Sequence, residues 1–217
     1  IVALLGIGLT SDFNSIPIDL KSTVWNIIEP LSHHWQPDVE SEMQNKSNIE
    51  PYLMSINTVR GDAFHTIMKY ALWLKKFDQM NYEKDLKSVE KVLESLLDTD
   101  KTVSIRSAFG RWFPWIITLD SEWAKNNYKK IFIRENEELW FSSWNGLVVY
   151  TQAYDQVFNI IQPEYFKAIE MIGKAEAIFK SMANNDQRLA EHLITMYWRE
   201  NIDLAQSGNL LEKFYQN

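Results

Sequence analysis

The stretch Thr58-Val-Arg-Gly-Asp-Ala-Phe64 recurs 46 residues later as Ser104-Ile-Arg-Ser-Ala-Phe109, with one residue fewer before the phenylalanine. Each copy opens a long segment in which apolar residues recur at helical spacing. A period of about 40–47 residues with two helices in each unit is typical of HEAT-type and armadillo-type solenoids. We therefore expect an all-α protein in which antiparallel helix pairs stack into a HEAT-like or armadillo-like superhelix, that is, an α-α superhelix.

The two segments that follow these copies differ in their polar content. After the first copy, an apolar helix pattern is interrupted only by a narrow polar strip made of Asp62, His65, Thr66, Lys69 and Lys76. This pattern predicts a helix that is packed on most sides, with one edge in water. The segment 102–119 is apolar nearly all round and predicts a central, buried helix. Pro114 should kink that helix, and Gly110 would ease the kink.

Composition agrees with a helical protein and argues against several kinds of site. Only 7 glycines and 6 prolines in 217 residues leave few tight turns. The absence of cysteine excludes disulfides and thiolate metal sites. With 22 basic and 29 acidic residues the net charge is −7, and such a chain repels a phosphate backbone. We expect a cytoplasmic protein with a protein partner or self-association, and no nucleic-acid or membrane partner.

The first part of the chain is less regular than the rest. We divide the chain into an irregular N-terminal segment, 1–51, with one or two helices and a long loop over 33–51, and a helical repeat-like domain, 52–217. The apolar run Ile1–Leu9 is too short to span a membrane and has no basic stretch before it. We expect it to be the tail of a buried element at the truncated start of a larger protein. Later helices are predicted from Pro163 to about Ala183 and from Gln187 to Gln206.

Recognisable catalytic and metal-binding motifs are absent from the sequence. It has no HExxH, P-loop, GxSxG or GxGxxG pattern. Its four histidines are scattered, at His33, His34, His65 and His192. We therefore expect no catalytic residue, no cofactor and no metal site in this chain.

Two arginines occupy the same place in the repeated motif. Arg60 and Arg106 could clamp an acidic partner or a phosphate, because a guanidinium binds such groups with two parallel hydrogen bonds. Alternatively, each could tie one helical unit to a neighbouring carboxylate, for which Asp62, Asp98 and Asp100 are the plausible partners. We assign Arg60 and Arg106 the structural role.

Nine tryptophans are a high number for a chain of this length. Four of them lie in apolar surroundings and are predicted to fill the core: Trp112, Trp115, Trp140 and Trp144. Trp73 instead falls on the polar strip described above. Exposed tryptophans are frequent at protein interfaces, so we predict a partner-binding ridge formed by His65, Lys69, Trp73 and Lys76.

An alternative function is a helical glycan-processing enzyme. Such enzymes cleave sugars with two carboxylic acids in a tryptophan-lined cleft. The candidate acids are Glu122, Glu138 and Asp155, which lie near Trp123, Trp140 and Tyr154 in the sequence. Each acid also lies close to the start of a predicted helix, where it would stabilise the helix dipole.

Three stretches together resemble a known class of protein. They are Ser55-Ile-Asn-Thr-Val-Arg-Gly-Asp-Ala63, Tyr70-Ala-Leu-Trp73, and Arg106-Ser-Ala-Phe-Gly110 with Phe113-Pro-Trp115. Over roughly residues 50–150 the chain resembles the helical, HEAT-like C-terminal regions of large bacterial multidomain proteins. Some of those carry a sirtuin-like or nucleotide-hydrolysing effector, and several act in defence against phage. The resemblance implies a non-enzymatic interaction, sensor or scaffold domain.

Overall fold

The regular structure of the protein is helical throughout the part of the chain that is described. The computed structural model describes residues 1–45, 49–174, 179 and 184–216. Its helices are α1 (Val2–Thr10), α2 (Lys21–Leu31), α3 (Val39–Asn45), α4 (Pro51–Ile56), α5 (Val59–Phe77), α6 (Tyr82–Thr99), α7 (Val103–Leu119), α8 (Ser121–Ile131), α9 (Glu137–Val148), α10 (Asp155–Glu170), α11 (Asn185–Trp198) and α12 (Leu210–Gln216). A short 3₁₀ turn, Ile18–Leu20, precedes α2. The all-α prediction is confirmed for these residues.

Helix α7 lies at the centre of the molecule. It packs against α4, α5, α8 and α9, and most of its side chains are buried. This confirms that the segment 102–119 forms a central, buried helix. The two motif copies mark the starts of α5 and α7. Helix α7 continues through Pro114 to Leu119, so the proline is accommodated inside the helix.

The crossing of α7 and α9 depends on a matched pair of Ser-x-x-Gly sequences. A Cβ atom on Gly110 of α7 would lie 1.8 Å from the backbone oxygen of Ser143 in α9. A Cβ on Gly146 of α9 would lie 2.1 Å from the backbone oxygen of Ser107 in α7. Both distances are far below van der Waals contact, so only glycine permits this approach. Gly110 is therefore needed for the helix crossing, a role in addition to the kink at Pro114 that the sequence suggested.

The N-terminal end of α7 is buried, and its free amide groups are satisfied by carboxylates from other elements. Asp100 accepts hydrogen bonds from the backbone N–H and the hydroxyl of Thr102, at 2.8 and 2.6 Å. Glu42 accepts from the backbone N–H groups of Val103 and Ser104, at 2.7 and 3.3 Å. The first turn of a helix leaves such donors without internal partners, and acids near them also complement the helix dipole.

Several predicted boundaries differ from the structure. The predicted loop over 33–51 contains helix α3, which the polar sequence Val39–Asn45 concealed. The helix predicted from Pro163 to about Ala183 ends at Glu170, and it joins the preceding helix through a non-helical Ile161. The residues 175–178 and 180–183 of that prediction lie outside the described residues. The helix predicted to reach Gln206 ends at Trp198. No helix among the described residues has the length and apolar character needed to cross a membrane.

We predict that Gly110→Ala destabilises the protein. The added methyl group would force α7 and α9 apart, and such overpacking costs about 1–3 kcal/mol or more. The control is Gly8→Ala in α1, whose Cβ would meet side-chain atoms of Ile16, at 2.9 Å, and no backbone atom. The free energy of unfolding in urea checks this. An equal loss in the two variants would contradict the close crossing.

Candidate functional site

The predicted partner-binding ridge is covered by the chain's own N-terminal segment. Trp73 is only 2% exposed, and its indole N–H donates to the hydroxyl of Ser15 at 3.2 Å. Lys76 forms an ion pair with Asp12 at 2.9 Å. Gly6 of α1 packs directly over Lys69. Trp73 and His65 are therefore not accessible, because residues 1–15 lie across this side of α5, whereas Lys76 is exposed at its edge; partner binding by these residues stays a prediction.

His65, the fourth residue of that ridge, is buried in a hydrogen-bonded network. The indole N–H of Trp112 lies 2.7 Å from His65 Nδ1, and an indole can only donate. Nδ1 is thus the acceptor, and the proton is on Nε2, which lies 2.8 Å from the hydroxyl of Ser55. The Ser55 hydroxyl in turn donates to the backbone oxygen of Tyr52, at 2.7 Å. Burial, and then the positive charges of Lys69 and Arg111, lower the pKa of His65 to about 3.

The directions of these hydrogen bonds prevent Ser55 from acting as a nucleophile with His65 as its general base. A catalytic histidine must accept the serine proton. Here the imidazole donates to the serine, and the serine proton is committed to a backbone carbonyl. What the arrangement does is hold α4, α5 and α7 together through one neutral imidazole.

His192 is held in the same way. Its Nδ1 lies 3.0 Å from the hydroxyl of Tyr165, and its Nε2 faces the backbone oxygen of Thr151 at 3.4 Å. A carbonyl can only accept, so Nε2 carries the proton and Nδ1 accepts from the tyrosine. Burial is the main reason that the pKa of His192 falls to about 4. Both buried histidines therefore serve as neutral links between helices.

Arg60 and Arg106 converge on the loop between α6 and α7. The Arg60 guanidinium is 2.8 Å from the carboxylate of Asp100 and donates to the backbone oxygens of His34 (at 2.6 Å) and Pro37. Arg106 donates to the backbone oxygens of Lys130, Leu97 and Asp100, at 2.6, 3.2 and 2.9 Å. Asp100 was one of the partners considered for these arginines. Their contacts are those of residues that tie neighbouring segments together.

The acids proposed for a glycan-processing enzyme do not share a cleft. Glu122 is exposed and pairs with Lys125 at 2.7 Å. Glu138 lines a cavity beside α3, and Asp155 lines a different groove beside α7. Of the aromatic residues next to them in the sequence, Trp123 and Trp140 are buried and donate to Glu94 and Glu164. The two-acid, tryptophan-lined cleft is therefore not assembled from these residues.

A surface that the sequence did not reveal lies on the segment 33–45, here called the strap. Its apolar residues face solvent: Trp35, Val39 and Met43 are 65%, 42% and 63% exposed. Trp35 and Val39 line one cavity of about 410 Å³, and Val39 and Met43 line a second of about 250 Å³. Because Val39 lines both cavities, we group these three exposed apolar side chains as the strap patch.

The inner side of the strap is polar. Glu42 is buried there, against the N-terminal end of α7, and burial raises its pKa to about 7. Arg60 holds the first part of the strap by donating to the backbone oxygens of His34 and Pro37. Soluble helices normally place apolar residues inward and acids outward. Helix α3 of the strap has the opposite arrangement, with Val39 and Met43 outside and Glu42 inside, which is a pattern expected where a second surface covers the apolar side.

Comparison with known proteins does not assign the chain to a family, and the described residues contain no recognisable metal site. Comparisons with protein-family models, curated proteins and solved structures found no match for the chain. Within the described ranges, no group of three or more histidine, aspartate or glutamate side chains is placed to hold a metal ion. The resemblance to multidomain defence proteins stays a prediction.

We predict that the protein loses stability as the pH falls below about 6.5, in part because of His65. Its pKa falls from 6.5 to about 3 on folding, so between those values the unfolded chain binds the extra proton. His192 acts in the same direction. Replacing His65 by Gln should remove about half of the histidine-dependent slope of unfolding free energy against pH.

The control for this titration is His33→Gln, since the His33 side chain is half exposed. This variant controls for the substitution itself, because it leaves the buried hydrogen bonds of His65 in place. An unchanged slope in the His65→Gln variant would contradict a neutral, buried His65.

Proposed function

We propose that this chain is a non-enzymatic protein-interaction or scaffold domain, and that the strap patch is the surface that contacts a protein partner. The observation that supports this most strongly is the inverted polarity of the strap. Trp35, Val39 and Met43 are left in solvent while Glu42 is buried. Aromatic residues and methionine are enriched at the centres of protein interfaces.

The net charge of the chain favours a basic partner. Asp38 and Glu40 flank Val39 in the sequence, Lys101 lines both cavities beside the strap, and the whole chain carries a net charge of −7. Complementary charge speeds association and sets the orientation of a partner. We propose a partner segment with apolar residues flanked by lysine or arginine. Self-association through the same patch would bring two negatively charged chains together and is therefore less favoured.

The helix order supports a further part of the proposal, a HEAT-like stacking of helix pairs. Helices α5 and α6 are joined by a short connection, as are α7 and α8, so each pair can run antiparallel. Helices α5 and α7, which begin at the two motif copies, also pack against each other. In this proposal the chain is a cytoplasmic part of a larger bacterial protein, with defence against phage as one setting in which it would act.

We predict that a photo-crosslinking amino acid at position 35 captures a discrete partner in cells that naturally express the protein. Met43→Ala should lower the yield by about fivefold, because truncation of an apolar residue at the centre of an interface can cost about 1 kcal/mol. The control position is 80, since Met80 is 97% exposed and lies outside the strap. Mass spectrometry of the product identifies what is captured.

The same crosslinking on the purified protein distinguishes self-association from a foreign partner. A product at twice the mass of the chain would favour self-association through the strap patch. Absence of any product at position 35, or equal yields at positions 35 and 80, would contradict the proposed interaction surface.

A further inference from the structure

An open groove runs between the C-terminal half of α7 and the first turns of α10. It consists of two cavities of about 370 and 530 Å³. Both are lined by Thr118 and Gln156, so they adjoin. Small-molecule sites commonly occupy clefts of about 300–1,000 Å³. This groove lies away from the strap patch and shares no lining residue with the cavities beside the strap.

Two aromatic side chains form part of the groove wall. Trp115 is half-buried and lines the groove, where Arg111 stacks at 4.4 Å from its ring centre and Trp112 meets it edge-on. These contacts hold the Trp115 ring in place. Tyr154 is 38% exposed and lines the same cavity. An aromatic ring combines a large apolar face with a preferred stacking geometry, so the wall offers preorganised apolar contact surface.

The charged groups of the groove are neutralised within the protein. Asp155 and Arg199 form an ion pair at 3.1 Å, and Arg199 also donates to the backbone oxygen of Ala153 at 2.8 Å. Lys125, at the far end, pairs with Glu122 at 2.7 Å. A ligand with a net charge would therefore meet no uncompensated opposite charge among these groups. The groove is suited to a ligand that is polar and uncharged.

Neutral hydrogen-bonding groups complete the groove. The amides of Gln156 and Asn159 are on exposed residues one helical turn apart on α10, and both line the groove. Each amide offers one acceptor and two donors. Ser121, which carries a hydroxyl, lines the same cavity. These groups can pair with hydroxyls that act both as donors and as acceptors.

We propose that this groove binds a neutral oligosaccharide. A sugar ring has an apolar C–H face that can lie against Trp115 or Tyr154, and hydroxyls that can pair with the amides of Gln156 and Asn159. A peptide strand would need an exposed sheet edge to pair with, and no strand occurs in the described residues. An amphipathic helix would need an apolar groove, whereas the lining here mixes apolar residues with amides, hydroxyls and charged groups.

The groove binds the sugar without cleaving it. Hydrolysis of a glycosidic bond needs two carboxyl groups flanking the bond. Among the described residues that line the groove, Asp155 is the only carboxylate. It is also held by Arg199. The inference thus differs from the glycan-processing alternative and is independent of the partner proposed for the strap patch.

The test uses hexasaccharides derived from cellulose, starch, xylan and chitin, each titrated into the full chain by calorimetry. At least one should bind, and binding should persist at high salt because no ionic contact carries it. Trp115→Ala, and the double variant Gln156→Ala with Asn159→Ala, should each weaken binding by about tenfold or more. The double variant changes only exposed side chains, so it tests the groove even where Trp115→Ala impairs folding.

The matched controls are Phe13→Ala and Gln79→Ala, which remove an exposed aromatic ring and an exposed amide outside the groove. Both should bind like the unmodified chain. Chromatography of the sugar after long incubation should show it intact. The proposal is overturned if none of the four sugars binds, if the groove variants bind like the controls, or if salt abolishes binding. Sugar cleavage would overturn the inference that the groove only binds.

Discussion

The packing of α7 against α4, α5, α8 and α9 at the centre of the molecule is the constraint on which the rest of the structure depends. A helix surrounded by other helices must let their backbones come close, and Gly110 and Gly146 provide the space for α9. It must also satisfy the free amides of its first turn without water. Glu42 and Asp100 satisfy donors of this first turn from outside the helix. The strap is therefore held in position by the hydrogen-bonding needs of α7.

The same constraint explains why the side chains that could act in catalysis or ligand binding hold helices together instead. Both buried histidines accept from an aromatic donor at Nδ1 and donate from Nε2, which keeps them neutral. The motif arginines bind backbone oxygens around Asp100. Because these polar groups are committed to links between helices, we place function on the surface: on the strap patch and on the groove beside Trp115.

Sequence patterns predicted the features that depend on the spacing of apolar residues within one helix. The apolar run of α7 predicted a central helix, and the narrow polar strip of α5 predicted a helix packed on most sides; the structure bears out both. The position of Trp73 could not be predicted in this way. Its neighbours Lys69 and Lys76 suggested an exposed edge, but the cover comes from residues about 60 positions earlier, including Ser15 and Asp12. The spacing of polar and apolar residues within α5 gives no information about contacts with residues so distant in sequence.

The strap was missed for a related reason. In helix α3 of the strap the buried side chain is an acid, Glu42, and the apolar residues Val39 and Met43 are exposed, so the sequence pattern is that of a polar loop. The role of Gly110 was also hidden, because a glycine four residues before a proline suggests relief of a kink. Only the position of Ser143 in α9 shows that the glycine is needed for a backbone contact. Both features are set by tertiary contacts that a single sequence does not display.

The most direct test of the central place of α7 is native-state hydrogen exchange, resolved by peptide. If α7 is the helix on which the fold depends, the amides in the middle of α7 and α9 should exchange most slowly, and only through global unfolding. The strap should exchange sooner, through local opening, because few of its side chains are buried. Faster exchange in α7 than in α10 or α11 would contradict the dependence of the structure on α7.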